Sequence, residues 1–178
     1  MKFVRFIALF IGAGVAFSLS GVSRAAIVWD GPPITFSKAS FADWTQPENQ
    51  DRISANIWLT RADSQGLFNI KVEPSFTSLS SPLGTEWAFG TTASFSSLTY
   101  TNWQAWTGNN PPSTVGRDAV LHLTAEDIYL DIKFSAWTSS GGGGFSYVRS
   151  TAPVPEPGCL GLCGIAALVT LARRRPLG

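Results

Sequence analysis

The stretch Asp127-Ile128-Tyr129-Leu130-Asp131-Ile132-Lys133-Phe134-Ser135-Ala136-Trp137 decides the fold class, because it alternates without a break. Ile128, Leu130, Ile132, Phe134 and Ala136 fall on one parity, and Tyr129, Asp131, Lys133, Ser135 and Trp137 on the other. Period two over this length is a half-buried β-strand, since successive side chains point to opposite faces of a sheet. Arg52 to Thr60 repeats the pattern and reads as a second strand. Shorter candidates are Ala26 to Trp29, Ile34 to Ser37, Leu67 to Val72, Glu86 to Phe89, Ala93 to Tyr100, Ala119 to Thr124 and Phe145 to Arg149. Between 26 and 150 no segment carries a 3.6-residue apolar stripe, and a helix is expected only as a turn or two around Phe41 to Trp44.

Turn chemistry separates these strands: Asp30-Gly31-Pro32-Pro33, Ser64-Gln65-Gly66, Ser81-Pro82-Leu83-Gly84, Gly108-Asn109-Asn110-Pro111-Pro112, and Ser139 to Gly144. Strands on both sides make the glycines at 141–144 the flexible tip of a hairpin rather than a linker. Eight or nine short strands so spaced predict an all-β domain. The expected form is a single antiparallel β-sandwich, jelly-roll-like, between an N-terminal signal helix and a C-terminal transmembrane helix.

The two ends read as addresses. Lys2 and Arg5, an apolar run from Phe6 to Phe17, and Ser23-Arg24-Ala25 have the order of a secretory signal peptide with cleavage expected after Ala25. At the other end, Gly158 to Ala172 is uncharged and is followed by Arg173, Arg174 and Arg175. As a helix that run covers about 22 Å, short of the ~30 Å hydrocarbon core, so snorkelling arginines and local thinning have to complete the span. The arginines would stay on the cytoplasmic side. The expected organisation is 1–25 signal peptide, 26–150 exported domain, 151–157 Pro-rich linker, and 158–178 membrane tail.

Val154-Pro155-Glu156-Pro157, a short small-residue-rich apolar segment and a terminal arginine cluster together resemble a PEP-CTERM sorting signal. That resemblance implies a Gram-negative, often exopolysaccharide-producing host. It also implies recognition by an exosortase, an integral-membrane cysteine transpeptidase cutting near Pro155, Glu156 and Pro157, with Arg173 to Arg175 as the cytoplasmic stop. Signal peptidase and the membrane are the other implied partners. Cys159 and Cys163 depart from the pattern and share one helix face, where they read as small packing residues, with lipidation or metal binding as the alternatives. More weakly, Gly31 to Phe36, Gln50 to Ile53, and Asp127 to Asp131 through Gly144 to Tyr147 resemble segments of exported bacterial β-domains that carry sorting tails. No activity follows from that likeness.

Removing the two addresses changes the charge. Residues 26–157 keep seven basic side chains against all twelve acidic ones, a net of −5, which disfavours nucleic acid and anionic membrane surfaces. Both cysteines lie in the tail, so the exported domain has no disulfide and depends on an apolar core, for which the seven tryptophans, all within it, supply bulk.

Candidate chemistry is sparse. The single histidine, His122, sits mid-strand with no Gly-x-Ser-x-Gly elbow in the chain, so it reads as a strand histidine rather than a triad member. Glu126, Asp127 and Asp131 are the carboxylates that a glycosidase could pair, though they read as solvated edge charges. Asp43, Glu48, Asn49 and Asp51 are dense enough in oxygen to raise a structural Ca²⁺ as a minority reading; otherwise no cofactor or metal is expected. Trp103 and Trp106 are open to two readings, core packing or a stacking platform for sugars. The sequence points to a non-enzymatic structural or carbohydrate-adhesive domain of the envelope or extracellular matrix, with polysaccharide as the candidate partner. A carbohydrate-active hydrolase using paired carboxylates such as Glu126 and Asp131 is the alternative.

Overall fold

A computed structural model of the chain describes residues 25–155. The signal segment, Glu156 and Pro157, the apolar tail and Arg173 to Arg175 lie outside the described residues. Among the described residues no helix is long and apolar enough to cross a membrane.

The domain is mostly β. Its strands are β1 (Ile27–Trp29), β2 (Gly31–Lys38), β3 (Asp51–Arg52), β4 (Trp58–Thr60), β5 (Phe68–Asn69), β6 (Thr85–Phe89), β7 (Ala119–Leu123), β8 (Ile128–Trp137) and β9 (Phe145–Thr151). A six-stranded sheet runs β2-β9-β8-β7-β6, with β1 added in parallel beside the first residues of β8, and β3-β4-β5 form a separate three-stranded sheet. The other strand pairs are antiparallel. The chain therefore enters between β8 and solvent, turns at Asp30, and crosses to the outer edge of β9.

Alternation explains the core. Leu121, Leu123, Ile128, Leu130, Ile132, Phe134, Phe145 and Tyr147 point inward and meet Ile53, Ile57, Leu59 and Leu67 from the small sheet and its turns. Three aromatic rings, Trp87, Trp103 and Trp106, complete this core.

Several expectations change. Arg52 to Thr60 is not one strand but the hairpin β3–β4, in which Asp51 faces Leu59 and Arg52 faces Trp58. Ser54 Oγ accepts from the backbone of Asn56 and Ile57, and Glu126 binds both Ser54 and Asn56, so the chain reverses where its pattern alone would continue. Leu67 to Val72 shortens to Phe68–Asn69. Ala93 to Tyr100 is not a strand; Thr92–Ser97 is two short 3-10 turns meeting at a kink at Ser94, anchored where Thr92 donates to Asp131 through both its backbone and its hydroxyl. No helix forms around Phe41 to Trp44, where Phe41 is left-handed at φ 62°; a 3-10 turn follows at Pro47–Asn49 instead.

A short helix, α1 (Trp103–Thr107), was not expected. Asn102 caps its start by accepting from the Ala105 amide at 2.9 Å, and Gly108 ends it in the left-handed region. The hairpin β8–β9 is present, but its glycine tip is not free. Gly142, Gly143 and Gly144 are buried, wedged against Ser40 and Phe41 on one side and Ala62 and Asp63 on the other.

Candidate functional site

The strongest site is a cleft of about 450 Å³ at the end of the domain where β8 finishes. Its position depends on one irregularity. Phe134 pairs with Tyr147 and Ala136 with Ser146, so Ser135 is an extra residue, a β-bulge in β8. Ser135 and Ala136 both face solvent, and Trp137 returns to the inward face beside Phe145 and Phe134. Simple alternation places Trp137 outward. The bulge turns it into the cleft.

Arg61, the residue after β4, lies against Trp137 with its guanidinium carbon 3.9 Å from the ring centre. Nε donates to the Gln65 carbonyl at 2.8 Å, and Nη1 to the carbonyls of Thr138 and Gly144 at 3.0 and 3.2 Å. Only 4% of this side chain's residue surface is exposed, and burial draws its pKa down to about 10, so it remains a cation at neutral pH. No described carboxylate forms an ion pair with it. Among the described residues Nη2 has no hydrogen-bond partner, and it is not sealed from solvent.

The facing wall comes from α1 and the loop after β5. Gln104 accepts from the Ser78 hydroxyl and the Leu79 amide at 2.7 and 2.8 Å, and donates to Asn109 at 2.7 Å. Asn109, Asn110, Gln65 and Ser139 add further amide and hydroxyl groups, Phe76 an aromatic side, and Arg61 is the single charged lining residue. Such a surface can hydrogen-bond hydroxyls and pack a ring edge; it contains no carboxylate for acid–base chemistry.

The residues singled out from sequence are scattered around this cleft. Trp103 and Trp106 are 1% and 7% exposed, with their faces taken by Trp87, Phe134, Trp137 and Phe89. Trp103 still contributes to the cleft lining, whereas Trp106 does not. Glu126 is bound by Ser54 and Asn56 at 2.9 and 2.7 Å, while Asp131 is bound by Thr92 on the outer face, and neither of the two described cavities is lined by both.

Asp131 instead borders a second cavity of about 610 Å³ on that outer face, together with Asp30, Asp118 and Lys133. Lys133 and Asp118 pair there at 3.0 Å. His122 stacks on Tyr129 and reaches Glu86 and Asp127 at 3.2 and 3.1 Å. Asp127 thus belongs to the histidine rather than to Glu126.

The oxygen-rich segment near Pro47 also divides. Asp43 organises its own loop by accepting from Thr45 and Gln46, which hold its carboxyl below the usual range. Asp51 turns inward to Arg149, at 2.6 and 2.8 Å, and to the Tyr147 hydroxyl at 2.7 Å. Among the described residues no group of three or more His, Cys, Asp or Glu side chains is placed to hold a metal ion. Pro155 is exposed at the end of the described chain, beyond β9. Sequence reasoning missed Arg61 and Trp137. The Asn102 and Gly108 pair could have flagged α1, but nothing local marks Ser135 as the extra residue.

Comparison with known protein families, curated proteins and solved structures finds no match.

Proposed function

We propose that this is an exported, exosortase-sorted envelope or matrix protein whose β-domain binds carbohydrate without catalysing a reaction. The cleft beside Trp137 carries the adhesive part of this reading: amides and hydroxyls from several loops converge on an aromatic edge and one cation. That combination suits a saccharide, with directional groups for the hydroxyls and an apolar ring edge for the sugar's C–H side. A paired-carboxylate hydrolase has less support, because Glu126 and Asp131 serve different partners. Two sheets sharing one core support a sandwich, and the consecutive pairing β6-β7-β8-β9 favours a meander over a jelly roll.

Glycan-array binding by the full chain tests the adhesive reading. Trp137→Ala should abolish the signal, whereas Trp103→Ala and Trp106→Ala would mainly damage the core. An unchanged signal after Trp137→Ala removes the cleft from consideration. The sorting reading rests on Pro155, Glu156, Pro157 and Arg173 to Arg175. Changing the three arginines to glutamate should impair processing; intact mass of the exported protein, with and without the exosortase, reads this directly, and normal processing of the variant would count against the assignment.

A further inference from the structure

We propose that the cleft selects a carboxylate-bearing saccharide, such as a uronic acid unit, with the Arg61 guanidinium reading the acid. This rests on the glycan-binding reading above and narrows its ligand.

The argument starts from an uncompensated charge. Burying a cation is costly unless it is paired, and proteins usually supply a carboxylate. Arg149 in this same domain shows the ordinary solution, a two-point contact with Asp51. Arg61 is equally buried but receives only backbone carbonyls, on Nε and Nη1. The two N–H groups of Nη2 are left without an acceptor among the described residues. Trp137 lies against the guanidinium and the carbonyls fix its other nitrogens, so Nη2 is held in one place instead of searching as a surface arginine would.

Lys38, 2% exposed, contacts the Gly143 carbonyl at 3.4 Å in the same loop cluster, and the exposed Asp63 acts on Lys38 from nearby. The domain is acidic as a whole, yet no carboxylate lines the cleft. An anion entering it meets a fixed cation and no like charge. The remaining lining is neutral: Gln65, Asn109, Asn110 and Ser139 suit ring hydroxyls, which favours an acidic sugar over an acidic peptide.

The test uses the full chain in lauryldimethylamine oxide, a detergent without a sugar headgroup, titrated while following tryptophan fluorescence. The probes are trisaccharides of galacturonic, glucuronic and mannuronic acid, each beside its methyl ester, together with neutral trisaccharides and triglutamate. At least one acid should bind ten-fold or more tighter than its ester, and Arg61→Gln should bring that acid-to-ester ratio close to one. Equal affinity for acids and esters overturns the acid preference and leaves glycan binding standing. Triglutamate matching the best uronate overturns the saccharide assignment. No binding by any saccharide, acidic or neutral, removes the glycan reading itself. Arg61→Gln also loses three carbonyl contacts; if that variant does not fold, the acid-to-ester ratio on the unaltered chain still decides.

Discussion

Among single residues, Asp51 is a buried link between the two sheets. Its side chain is 7% exposed, and it joins the small sheet to the large one by accepting from Arg149 and Tyr147. Asp51 answers the charge of Arg149 and raises its pKa against the opposing effect of burial. Asp51→Ala would leave Arg149 as a buried, unpaired cation, so a loss of about 3–5 kcal/mol is expected in urea unfolding followed by tryptophan fluorescence. Tyr147→Phe removes one hydroxyl contact and should lose about 1–2 kcal/mol at neutral pH. The same tyrosine sets a pH limit. Burial, then Asp51, pushes the Tyr147 pKa well above its ordinary value, and burial pushes Tyr100 up to about 12. A raised folded-state pKa gives stability that is whole below the unfolded value near 10 and is lost as pH climbs past it. Urea midpoints should therefore fall between pH 9 and pH 11, and by less in Tyr147→Phe, which has no proton to release there. Equal falls in both proteins would place the alkaline limit elsewhere.

For secondary-structure elements the telling case is β8. A one-residue deletion inside a strand ordinarily moves every later side chain to the other face. Deleting Ser135 should not, because it removes the extra residue of the bulge and keeps Phe134 opposite Tyr147 and Trp137 opposite Phe145. Deletion of Lys133, by contrast, sets Ile132 and Phe134 out of phase and should abolish folding; near-native near-UV circular dichroism for the first variant only is the expected outcome. The glycine loop gives a second contrast. Gly108 and Gly143 have nearly the same φ, 59° and 62°, but a Cβ on Gly108 meets nothing within 4 Å while one on Gly143 meets the Ala62 carbonyl oxygen at 1.9 Å. Gly108→Ala should lose about 1 kcal/mol, the left-handed penalty alone. Gly143→Ala must push apart two loops and should lose several times more, read from urea midpoints. These particulars show what the sequence could tell. β8 and β9 were legible because a strand buried on one face writes its pattern into consecutive residues, and β7 because it is a short apolar run between turns. The break within Arg52 to Thr60 was not, since Glu126 imposes it from the β7–β8 turn. Nor was the site: Arg61 and Trp137 meet through a bulge and a glycine wedge, both tertiary facts without a local signature.

At the level of the whole molecule, the sheet boundaries make the fold separable from its expected addresses. β1 begins at Ile27, just past the cleavage expected after Ala25, and β9 ends at Thr151, before Pro155. Cuts at the two expected places would leave every strand intact. β1 itself is less dispensable than its three residues suggest. It pairs with Ile128 to Leu130, the length of β8 that β9 does not reach, and Ile27 and Trp29 pack against the core. Without it, that length of the longest strand becomes an open edge above exposed apolar surface. A chain starting at Ala26 and ending at Pro155 should thus melt within about 2 °C of the unprocessed protein. One starting at Asp30 loses three partly buried apolar side chains and a strand pairing, of the order of 3 kcal/mol by area and hydrogen bonds, and should melt roughly 10 °C or more lower. If the Asp30 start melted with the longer forms, β1 would be an ornament of the sheet, and a signal-peptidase cut several residues later would be equally tolerable. If the Ala26 start were already destabilised, residues before it would belong to the fold, and the expected cleavage after Ala25 would have to be abandoned.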